Sequence, residues 1–284
     1  MKINIIGAGS LGKNLAYALQ SHYPGSLAAI CNRSLESAQE AVTMIGAGAA
    51  VARVDELPRV GLTFITTPDD IIASVVAQLV KNNVLAAASV VVHCSGVLAC
   101  DVLKPLQEAG CDIASMHPLK AFRTYQLNQE VFVACNCVVE GDAPATRLLT
   151  ELFAAMGANL LTIQAGKKST YHAAAVMASN YVVTLAGCAS QLMEDAGFAP
   201  EPARDIVQQL MQGSLTNLKN TGHVANSLTG PLLRGDSNTI AMHLQAITDP
   251  VIHAFYRAAA LATLPLTPHA EETLAKLTAH LTAD

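Results

Sequence analysis

The chain has 284 residues, of which 51% are hydrophobic and 14% are charged, and its formal net charge is −5. This length and apolar content are enough for a large core divided over about two domains. The basic residues are scattered along the chain, so the composition indicates neither a nucleic-acid-binding nor a membrane-surface protein.

The N-terminal apolar run "MKINII" is interrupted at once by "GAGSLG", so we expect no signal peptide, and no later apolar run is expected to cross a bilayer. The seven cysteines include no CxxC pair. We interpret them as reduced core residues of a cytoplasmic protein. The cysteines of "ACNCV" have no second ligand pair at a suitable spacing, so no metal site is predicted.

The first part of the chain alternates short β-branched runs with amphipathic stretches. Strands are predicted at 3–6, 27–31, 62–66, 90–94 and 112–116, and helices at 11–22, 34–46, 69–82 and 99–110. Strands that alternate with helices predict a doubly wound parallel sheet of the α/β Rossmann type with right-handed crossovers.

The pattern changes near residue 131. Further strands are predicted in "VFVA", "CVVE" and "NLLTI", and helices at 143–156, 171–197, 201–220 and 250–264. The helix at 171–197 has apolar or small residues around most of its circumference, so we expect it to be buried on several sides. We predict a Rossmann domain at 1–165 and a helical substrate and dimerisation domain at 166–284, with a homodimer as the expected assembly.

The stretch "GAGSLG" follows the first predicted strand and opens the first helix, a setting that makes G-x-G-x-x-G a strong signal for dinucleotide binding. Gly7 allows the tight turn, Gly9 lets the backbone approach a pyrophosphate, and Gly12 lets helix and strand pack closely. With Ser10 and Leu11 these glycines form the predicted phosphate site, where free N–H groups and the helix dipole attract the phosphates. A glycine-rich turn without a ligand is the alternative.

The second predicted strand ends in "AICNRS". An NAD site would place a carboxylate there for the ribose 2′-hydroxyl, but this chain has Asn32, followed by Arg33 and Ser34. An amide, a guanidinium and a hydroxyl suit a 2′-phosphate, which a carboxylate would repel, so NADP(H) is the predicted cofactor. The alternative is that Asn32 caps the next helix and Arg33 is a solvated surface charge.

The stretch "TTPDD" follows the strand at 62–66. Because ligands of this fold bind at the carboxyl ends of the strands, Thr66, Thr67 and Pro68 are predicted to lie next to the adenosine or ribose. For Asp69, capping of the following helix is an equally good interpretation.

Two later strands end in the stretches "VVHCSGVL" and "ASMHPLKAF". They bring His93, Ser95 and His117 to the predicted ligand edge, and histidine can take or give a proton because its unperturbed pKa lies near neutrality. We predict His117 as the acid/base and Ser95 as a group that orients a carbonyl or carboxylate. The alternatives are a satisfied core histidine for His93 and an ordinary loop histidine for His117.

The pairing of "HCSG" with "MHPL" resembles prephenate and arogenate dehydrogenases, in which a serine loop precedes a His-Pro motif whose histidine acts on the substrate hydroxyl. A wider resemblance covers nearly the whole chain through "GAGSLG", "HCSG", "MHPLKAF", "YHAAAVMASNYVVTL" and "LTGPLLRGD". It is to a bacterial family of Rossmann-like NADP-binding proteins with a C-terminal domain of unknown function (domain of unknown function 2520).

That family is similar in architecture to 6-phosphogluconate dehydrogenase, pyrroline-5-carboxylate reductase, ketopantoate reductase and the deazaflavin-dependent NADP oxidoreductases. The resemblance implies a Rossmann domain followed by an all-helical 6-phosphogluconate dehydrogenase C-terminal-like domain, with NADP(H) as cofactor. It implies fold and cofactor, but no particular substrate.

In 6-phosphogluconate dehydrogenase relatives, the long helix carries a lysine and an asparagine that face the nicotinamide. Here the helix offers His172 and Asn180, which are about two turns apart and share a face. Val176 occupies the turn before Asn180, and Lys168 lies outside the predicted helix, so the lysine does not carry over. A buried helix-packing amide is the alternative role for Asn180.

The stretch "LTGPLLRGDSNTIAMH" is predicted to form a defined loop between helices. Arg234 could bind an acidic substrate through its bidentate guanidinium, with Asp236 orienting it or capping the next helix. The alternative is an internal pair between Arg234 and Asp236 that fixes the loop.

The predicted function is that of an NADP-dependent oxidoreductase, which moves hydride to or from a small oxo-, imino- or hydroxy-acid in an interdomain cleft. His117, Ser95, Asn180 and His172 are the predicted catalytic residues. The alternative is a non-catalytic NADP(H)-binding sensor or regulatory protein. The expected partners are a small molecule and a second copy of the chain, with no nucleic acid and no membrane.

Overall fold

The computed structural model describes residues 1–122, 126–164 and 166–282. They form two compact units, Met1–Ser179 and Asn180–Asp284. The predicted domain boundary at residue 165 lies outside the described residues and stays a prediction. The division between the two compact units falls further along the chain, inside a helix.

The first unit contains one eight-stranded sheet with the strand order β3-β2-β1-β4-β5-β6-β7-β8. Its strands are β1 Ile3–Ile6, β2 Leu27–Cys31, β3 Ala49–Val51, β4 Leu62–Ile65, β5 Val90–His93, β6 Asp112–Pro118, β7 Asn136–Gly141 and β8 Asn159–Leu161. All neighbouring pairs are parallel except β6 and β7, which are antiparallel. The predicted doubly wound sheet is therefore confirmed, and the carboxyl ends of β1, β4, β5 and β6 share one edge.

Both faces of the sheet are covered, because its strands alternate their side chains between two apolar clusters. Phe64 packs in one cluster and its neighbour Ile65 in the other. The helices of this unit are α1 Ser10–His22, α2 Leu35–Ile45, α3 Asp69–Asn82, α4 Lys104–Glu108, α5 Ala143–Ala155 and the first part of α6 Lys168–Asp195. Strands buried on both faces read as continuous apolar runs, which is why the sequence revealed them.

Several predicted elements of the first unit need correction. The run "VFVA" at 131–134 is a turn and not a strand, and Ala134 has a φ of 55°. Its apolar residues serve the core, since the ring of Phe132 meets the ring of Phe153 edge-on at 5.0 Å. β3 was not predicted, because its Ala-rich sequence has a low β-propensity. The helix predicted at 99–110 is a 3₁₀ turn, Cys100–Leu103, followed by α4 with a proline in its first turn.

The second unit has only helices as regular secondary structure in its described residues. It contains the rest of α6, α7 Pro200–Thr221, α8 Pro231–Arg234, α9 Ser237–Ala246, α10 Pro250–Thr263 and α11 Glu271–Thr282. Its buried core consists of Ile240, Ala260, Leu264, Leu277 and Leu281. The loop predicted at 228–243 instead contains α8 and most of α9.

The predicted burial of α6 is wrong for the single chain. Lys168 is its only buried residue, whereas Met177 is 64% and Val183 is 73% exposed. By length and composition α6 could also cross a bilayer, which corrects our expectation that no segment would. Our expectation required an uninterrupted apolar run. The mean hydropathy of α6 nevertheless stays high, because its Ser, Thr and Asn residues are isolated among apolar ones. Helices of soluble proteins also meet this criterion, so it assigns no membrane location.

Candidate functional site

The glycine turn between β1 and α1 has room for a Cβ atom at Gly9 but not at Gly7 or Gly12. Gly7 has a φ of 96°, and a Cβ atom added there would lie 2.7 Å from the backbone nitrogen of Thr67. A Cβ on Gly12 would overlap the carbonyl oxygen of Gly7, whereas a Cβ on Gly9 would meet nothing within 4 Å. Gly7 and Gly12 are therefore required by packing, while at Gly9 the backbone faces free space.

The first turn of α1 has the polarity of an anion site. Gly9 is its N-cap and supplies no side-chain hydrogen bond, and no acidic residue lies in the first turn. Ser10 and Leu11, which are partly exposed, supply amides at this end of the helix. Backbone N–H groups without a helical partner, together with the helix dipole, favour a phosphate here.

Asn32 connects the end of β2 to the glycine turn. Its side-chain oxygen accepts a hydrogen bond from the backbone N–H of Ala8 at 2.6 Å, and its amide donates to the carbonyl of Ser37 at 2.9 Å. The N-cap of α2 is Ser34, whose hydroxyl accepts from the N–H of Ser37. Asn32 is therefore not the helix cap that the alternative interpretation required.

Arg33 follows Asn32 and is exposed. Among the residues that the structure describes, its guanidinium makes no ion pair or hydrogen bond. All of its donors are therefore free for an anionic ligand beside the glycine turn.

The loop after β4 contacts the same turn. Thr66 donates its hydroxyl proton to the carbonyl of Gly7 at 2.6 Å, while the buried hydroxyl of Thr67 has no hydrogen-bond partner among the described residues. Pro68 is the N-cap of α3, and Asp69 is the first helical residue, so Asp69 is not the cap. A buried hydroxyl without a partner loses a hydrogen bond, and a ligand polar group could restore it.

His117 lies within β6, paired with Val138, and not in a loop. Its Nδ1 atom is 2.8 Å from the hydroxyl oxygen of Tyr171, and its ring meets the ring of His172 edge-on with centroids 5.4 Å apart. Tyr171 and His172 belong to the first turn of α6, inside the first compact unit. The structure therefore brings together two of the predicted site residues, His117 and His172, and adds Tyr171.

Gly96 makes room for the two histidines. A Cβ atom there would overlap the imidazole Nδ1 of His172 and would lie 2.9 Å from the Cε1 atom of His117. The same Nδ1 of His172 is buried and has no hydrogen-bond partner in the part of the chain that the structure describes. No side chain larger than hydrogen fits at position 96 while both rings keep their places.

His93 has the structural role that its alternative interpretation proposed. It is fully buried, its Nδ1 accepts the N–H of Ser95 at 3.2 Å, and its Nε2 lies 3.1 Å from the carbonyl of Ala99. Both ring nitrogens are satisfied by the loop after β5. Ser95 is also engaged in this loop, because its hydroxyl oxygen accepts from the N–H groups of Val97 and Leu98.

A buried cation that the sequence did not reveal lies beneath the histidines. Lys168 begins α6, contrary to the prediction that it lies outside the helix, and is only 4% exposed. Its ammonium donates to the hydroxyl of Ser115 and lies 3.4 Å from the carboxylate of Glu140. Lys168 is four residues before His172, and Ser115 is two residues before His117, so helix and strand periodicity place each pair on one face.

Burial decides the protonation of the cluster. It lowers the pKa of His117 to about 4, assisted by the charges of His172 and Lys168 and opposed by Asp69. Burial likewise raises the pKa of Tyr171 to about 12. At neutral pH, His117 is therefore a neutral imidazole and Tyr171 a protonated phenol, so the near-neutral pKa that made histidine attractive does not apply here.

The remaining candidates belong to the second unit. Asn180 is exposed, and it has no hydrogen-bond partner among the described residues. Arg234 donates from Nε to the carboxylate of Asp236 at 2.8 Å, which is the internal pair of the alternative interpretation. Asp236 is the N-cap of α9 but makes no side-chain capping bond. All seven cysteines are free thiols, and among the described residues no group of three or more metal ligands occurs.

Comparison with protein families finds two domain models, and they divide the chain earlier than the two compact units do. A Rossmann-like domain model matches residues 1–118, and the model described as Domain of unknown function (DUF2520) matches residues 135–263. This chain is a Rossmann-like protein with a DUF2520 domain. The resemblance predicted from the sequence motifs is thereby confirmed. No curated protein matches the chain.

Solved structures share the fold over nearly the whole length. Protein TM1727 from Thermotoga maritima is 26% identical, with a TM-score of 0.69 over 96% of this chain and 98% of that chain. A provisionally assigned NADP oxidoreductase from Bacteroides fragilis is 20% identical, with a TM-score of 0.77 over 93% and 98%. Pyrroline carboxylate reductase from Plasmodium falciparum, solved with NADP bound, is 14% identical, with a TM-score of 0.58 over 94% and 98%. This DUF2520 protein thus has the fold of NADP oxidoreductases.

Proposed function

We propose that this protein is an NADP(H)-dependent oxidoreductase that acts on a small oxo-, imino- or hydroxy-acid. The observation that carries the proposal is the free space above Gly9 at the first turn of α1, on the same sheet edge as the His117–Tyr171 pair. Asp69, in the first turn of α3, lies near enough to His117 to affect its pKa. The glycine turn, the loop after β4 and the histidine cluster therefore share one edge, where ligands of this fold bind.

The residues present fit the cofactor. The backbone N–H groups of Ser10 and Leu11 would hold the pyrophosphate, and the hydroxyl of Thr67, which has no partner among the described residues, would hydrogen-bond a neighbouring ligand oxygen. The unpaired guanidinium of Arg33 would bind the 2′-phosphate, next to Asn32, which carries no charge to repel it. When bound, a nicotinamide cofactor supplies or accepts a hydride, so the chain itself must orient the substrate and handle one proton. His117 is the proposed proton-handling residue.

Arg234 is the proposed contact for an acidic substrate. Its pair with Asp236 uses only Nε, and its terminal nitrogens have no partner among the described residues. A guanidinium can bind a carboxylate through two parallel hydrogen bonds, so the pair and a substrate can share it. Asn180, with an amide equally free, is a second proposed contact.

A non-catalytic NADP(H) sensor is the second candidate, and the neutral state of His117 is the observation that favours it. A buried imidazole with a pKa of about 4 is uncharged at neutral pH and is therefore a much weaker acid than an imidazolium. Turnover of NADPH with oxo- or imino-acids separates the two candidates, because a sensor binds the cofactor without turnover.

The cofactor site is tested by two glycine variants with opposite expectations. Gly9→Ala introduces a methyl group that meets no protein atom, so its free energy of unfolding stays within about 1 kcal/mol of the wild type while NADPH affinity falls at least tenfold. Gly12→Ala introduces a methyl group that overlaps the backbone, so the folded protein itself is destabilised. Calorimetric titration with NADPH and urea unfolding provide the two readouts. Full NADPH affinity in Gly9→Ala contradicts the proposal.

Cofactor preference is tested at Arg33. Arg33→Ala removes a charged contact worth about 1.5–3 kcal/mol, so NADPH affinity falls about tenfold or more while NADH affinity stays unchanged. Arg147→Ala, at an exposed arginine of α5 without a described partner, is the matched control. An equal loss for both cofactors contradicts the 2′-phosphate contact.

We also propose that the protein acts as a cytoplasmic homodimer. The exposed apolar surface of α6 supports a second copy as its partner, because contiguous exposed apolar surface commonly marks an interface.

A further inference from the structure

The hydrogen bond between His117 and Tyr171 has a direction that follows from the partners each atom can find. The Tyr171 hydroxyl has His117 as its only hydrogen-bond partner among the described residues. If His117 donated from Nδ1, the phenol proton would have no protein acceptor. A phenol is also the stronger donor and an imidazole nitrogen the stronger acceptor of the two. The hydroxyl of Tyr171 therefore donates to Nδ1 of His117.

This direction fixes the proton on the opposite nitrogen. A neutral imidazole carries one proton, and with Nδ1 acting as acceptor that proton resides on Nε2. The Nε2 atom has no hydrogen-bond partner among the described residues, and His117 as a whole is only partly buried. The side chain thus presents an N–H donor and not a lone pair at its free end.

The charges around the pair support this neutral donor. Lys168 and His172 disfavour a positive charge on His117, and Asp69 alone opposes them. Burial keeps the phenol of Tyr171 protonated, and the nearby thiols of Cys137 and Cys135 act in the same direction. A base that removes a proton from an alcohol would need a free lone pair or a phenolate, and the His117–Tyr171 pair provides neither at its free end.

We propose that Tyr171 holds His117 in the Nε2–H form, so that the site protonates an oxygen or nitrogen atom and the reaction it serves is the reduction of a carbonyl or imine. The inference rests on the proposed function, which supplies the reduced nicotinamide. His117 is the catalytic residue, and Tyr171 is a positioning residue that acts through it.

The proton balance of a carbonyl reduction closes with these two residues and water. A hydride adds to the carbonyl carbon, and the electron pair of the C=O π bond moves to the oxygen. The Nε2 proton of His117 transfers to that oxygen while the phenol proton of Tyr171 transfers to Nδ1. After the product leaves, water returns a proton to Nε2 and Nδ1 returns its proton to the phenolate. The net proton donor is water.

The tautomer can be read without any substrate. The ring nitrogens of ¹⁵N-histidine-labelled protein are assigned by comparison with His117→Asn, which removes the signals of one of the nine histidines. We expect a protonated Nε2 and an unprotonated, hydrogen-bonded Nδ1 in the wild type at pH 7. Tyr171→Phe should convert this to a mixture of tautomers, and Tyr181→Phe, at an exposed tyrosine of α6, should leave it unchanged. A protonated Nδ1 in the wild type overturns the proposal.

Activity then tests the direction of the reaction. NADPH oxidation is followed with pyruvate, 2-oxoglutarate and 1-pyrroline-2-carboxylate, and NADP⁺ reduction with lactate and 2-hydroxyglutarate. We expect turnover in the reductive assays, with kcat lowered about 100-fold by Tyr171→Phe and KM changed less than about threefold, since acid–base groups contribute about 10²–10⁴-fold. Turnover of the hydroxy acids alone, or none with any compound, overturns the reductive assignment.

Binding of NADPH, measured separately on the wild type and on Tyr171→Phe, distinguishes two kinds of failure. Absence of binding to either protein rejects the proposed function. Normal binding with the wrong tautomer rejects only the role of Tyr171.

Discussion

At the scale of single residues, the histidine cluster depends on a glycine that is not part of any cofactor motif. Gly96→Ala should lower the free energy of unfolding by about 1–3 kcal/mol, because its methyl group overlaps the ring of His172. Gly61→Ala is the matched control, since its Cβ atom would meet nothing nearer than 3.6 Å. Urea unfolding measures both variants. Equal stability of the two variants would show that the ring of His172 moves aside without cost.

The residues of the site were only partly predictable from the sequence. His117 and the three glycines stand in short motifs whose position after a strand indicates a role. Lys168, Ser115 and Glu140 lack such a signal, because a buried ion pair between distant residues depends on packing. Helix periodicity would have paired Lys168 with His172, four residues later, but the helix was predicted to begin only at residue 171. The hydroxyl of Ser95, which we predicted to orient a substrate group, accepts hydrogen bonds within its own loop instead, and sequence patterns do not reveal such bonds.

At the scale of elements, the first turn of α6 is attached to the sheet by the Lys168–Glu140 pair. Lys168→Met leaves the mostly buried carboxylate of Glu140 without its cation and should cost about 2–3 kcal/mol of stability, at or just below the usual range for breaking a buried pair. Adding Glu140→Gln should recover at least half of this loss. Lys104→Met is the control, because its pair with Asp101 is exposed and should contribute less than about 1 kcal/mol.

The middle of α6 offers a test of the proposed dimer. Val183→Glu places a charge on an apolar surface that is 73% exposed in the single chain. If a second copy covers this surface, the variant should elute in light-scattering chromatography at half the mass of the wild type, because burying an unpaired carboxylate is costly. Gln245→Glu, which adds a charge at an exposed position of α9, should not change the mass. A wild type that is already monomeric refutes the dimer.

Elements were predictable where one strong signal dominated. β1, β2 and α3 have the predicted bounds, because apolar strands and a helix between clear turn signals leave few alternatives. The run "VFVA" failed because an apolar turn that fills the core has the same composition as a strand. The predicted burial of α6 failed for a related reason, since an apolar circumference does not say which molecule covers it.

At the scale of the whole molecule, stability should depend on pH through the buried histidines. The pKa of His93 falls from 6.5 in the unfolded chain to about 4 in the folded protein, chiefly by burial. Between these values the unfolded state binds more protons, so stability is lost as the pH falls from about 6.5 to 4. At 1.36 kcal/mol per pKa unit, His93 accounts for about 3 kcal/mol, and the partly exposed His117 adds less in the same direction.

Urea unfolding at pH 7, 5.5 and 4.5 measures this dependence. His93→Asn should flatten it, because the asparagine does not titrate, although the variant starts from a lower stability after losing part of the hydrogen bonding to the loop. A stability that does not change with pH in the wild type would mean that folding does not lower the pKa of His93.

The attachment of Asn32 to the glycine turn has a consequence for how cofactor preference can evolve. The Ala8 amide needs only an oxygen acceptor, which an aspartate supplies equally well, so Asn32→Asp can keep the contact that shapes the turn while losing the donor to Ser37. The new carboxylate would favour a free 2′-hydroxyl and repel a 2′-phosphate. Asparagine and aspartate codons differ by a single nucleotide. One point mutation should therefore move the cofactor preference of this chain from NADP(H) towards NAD(H).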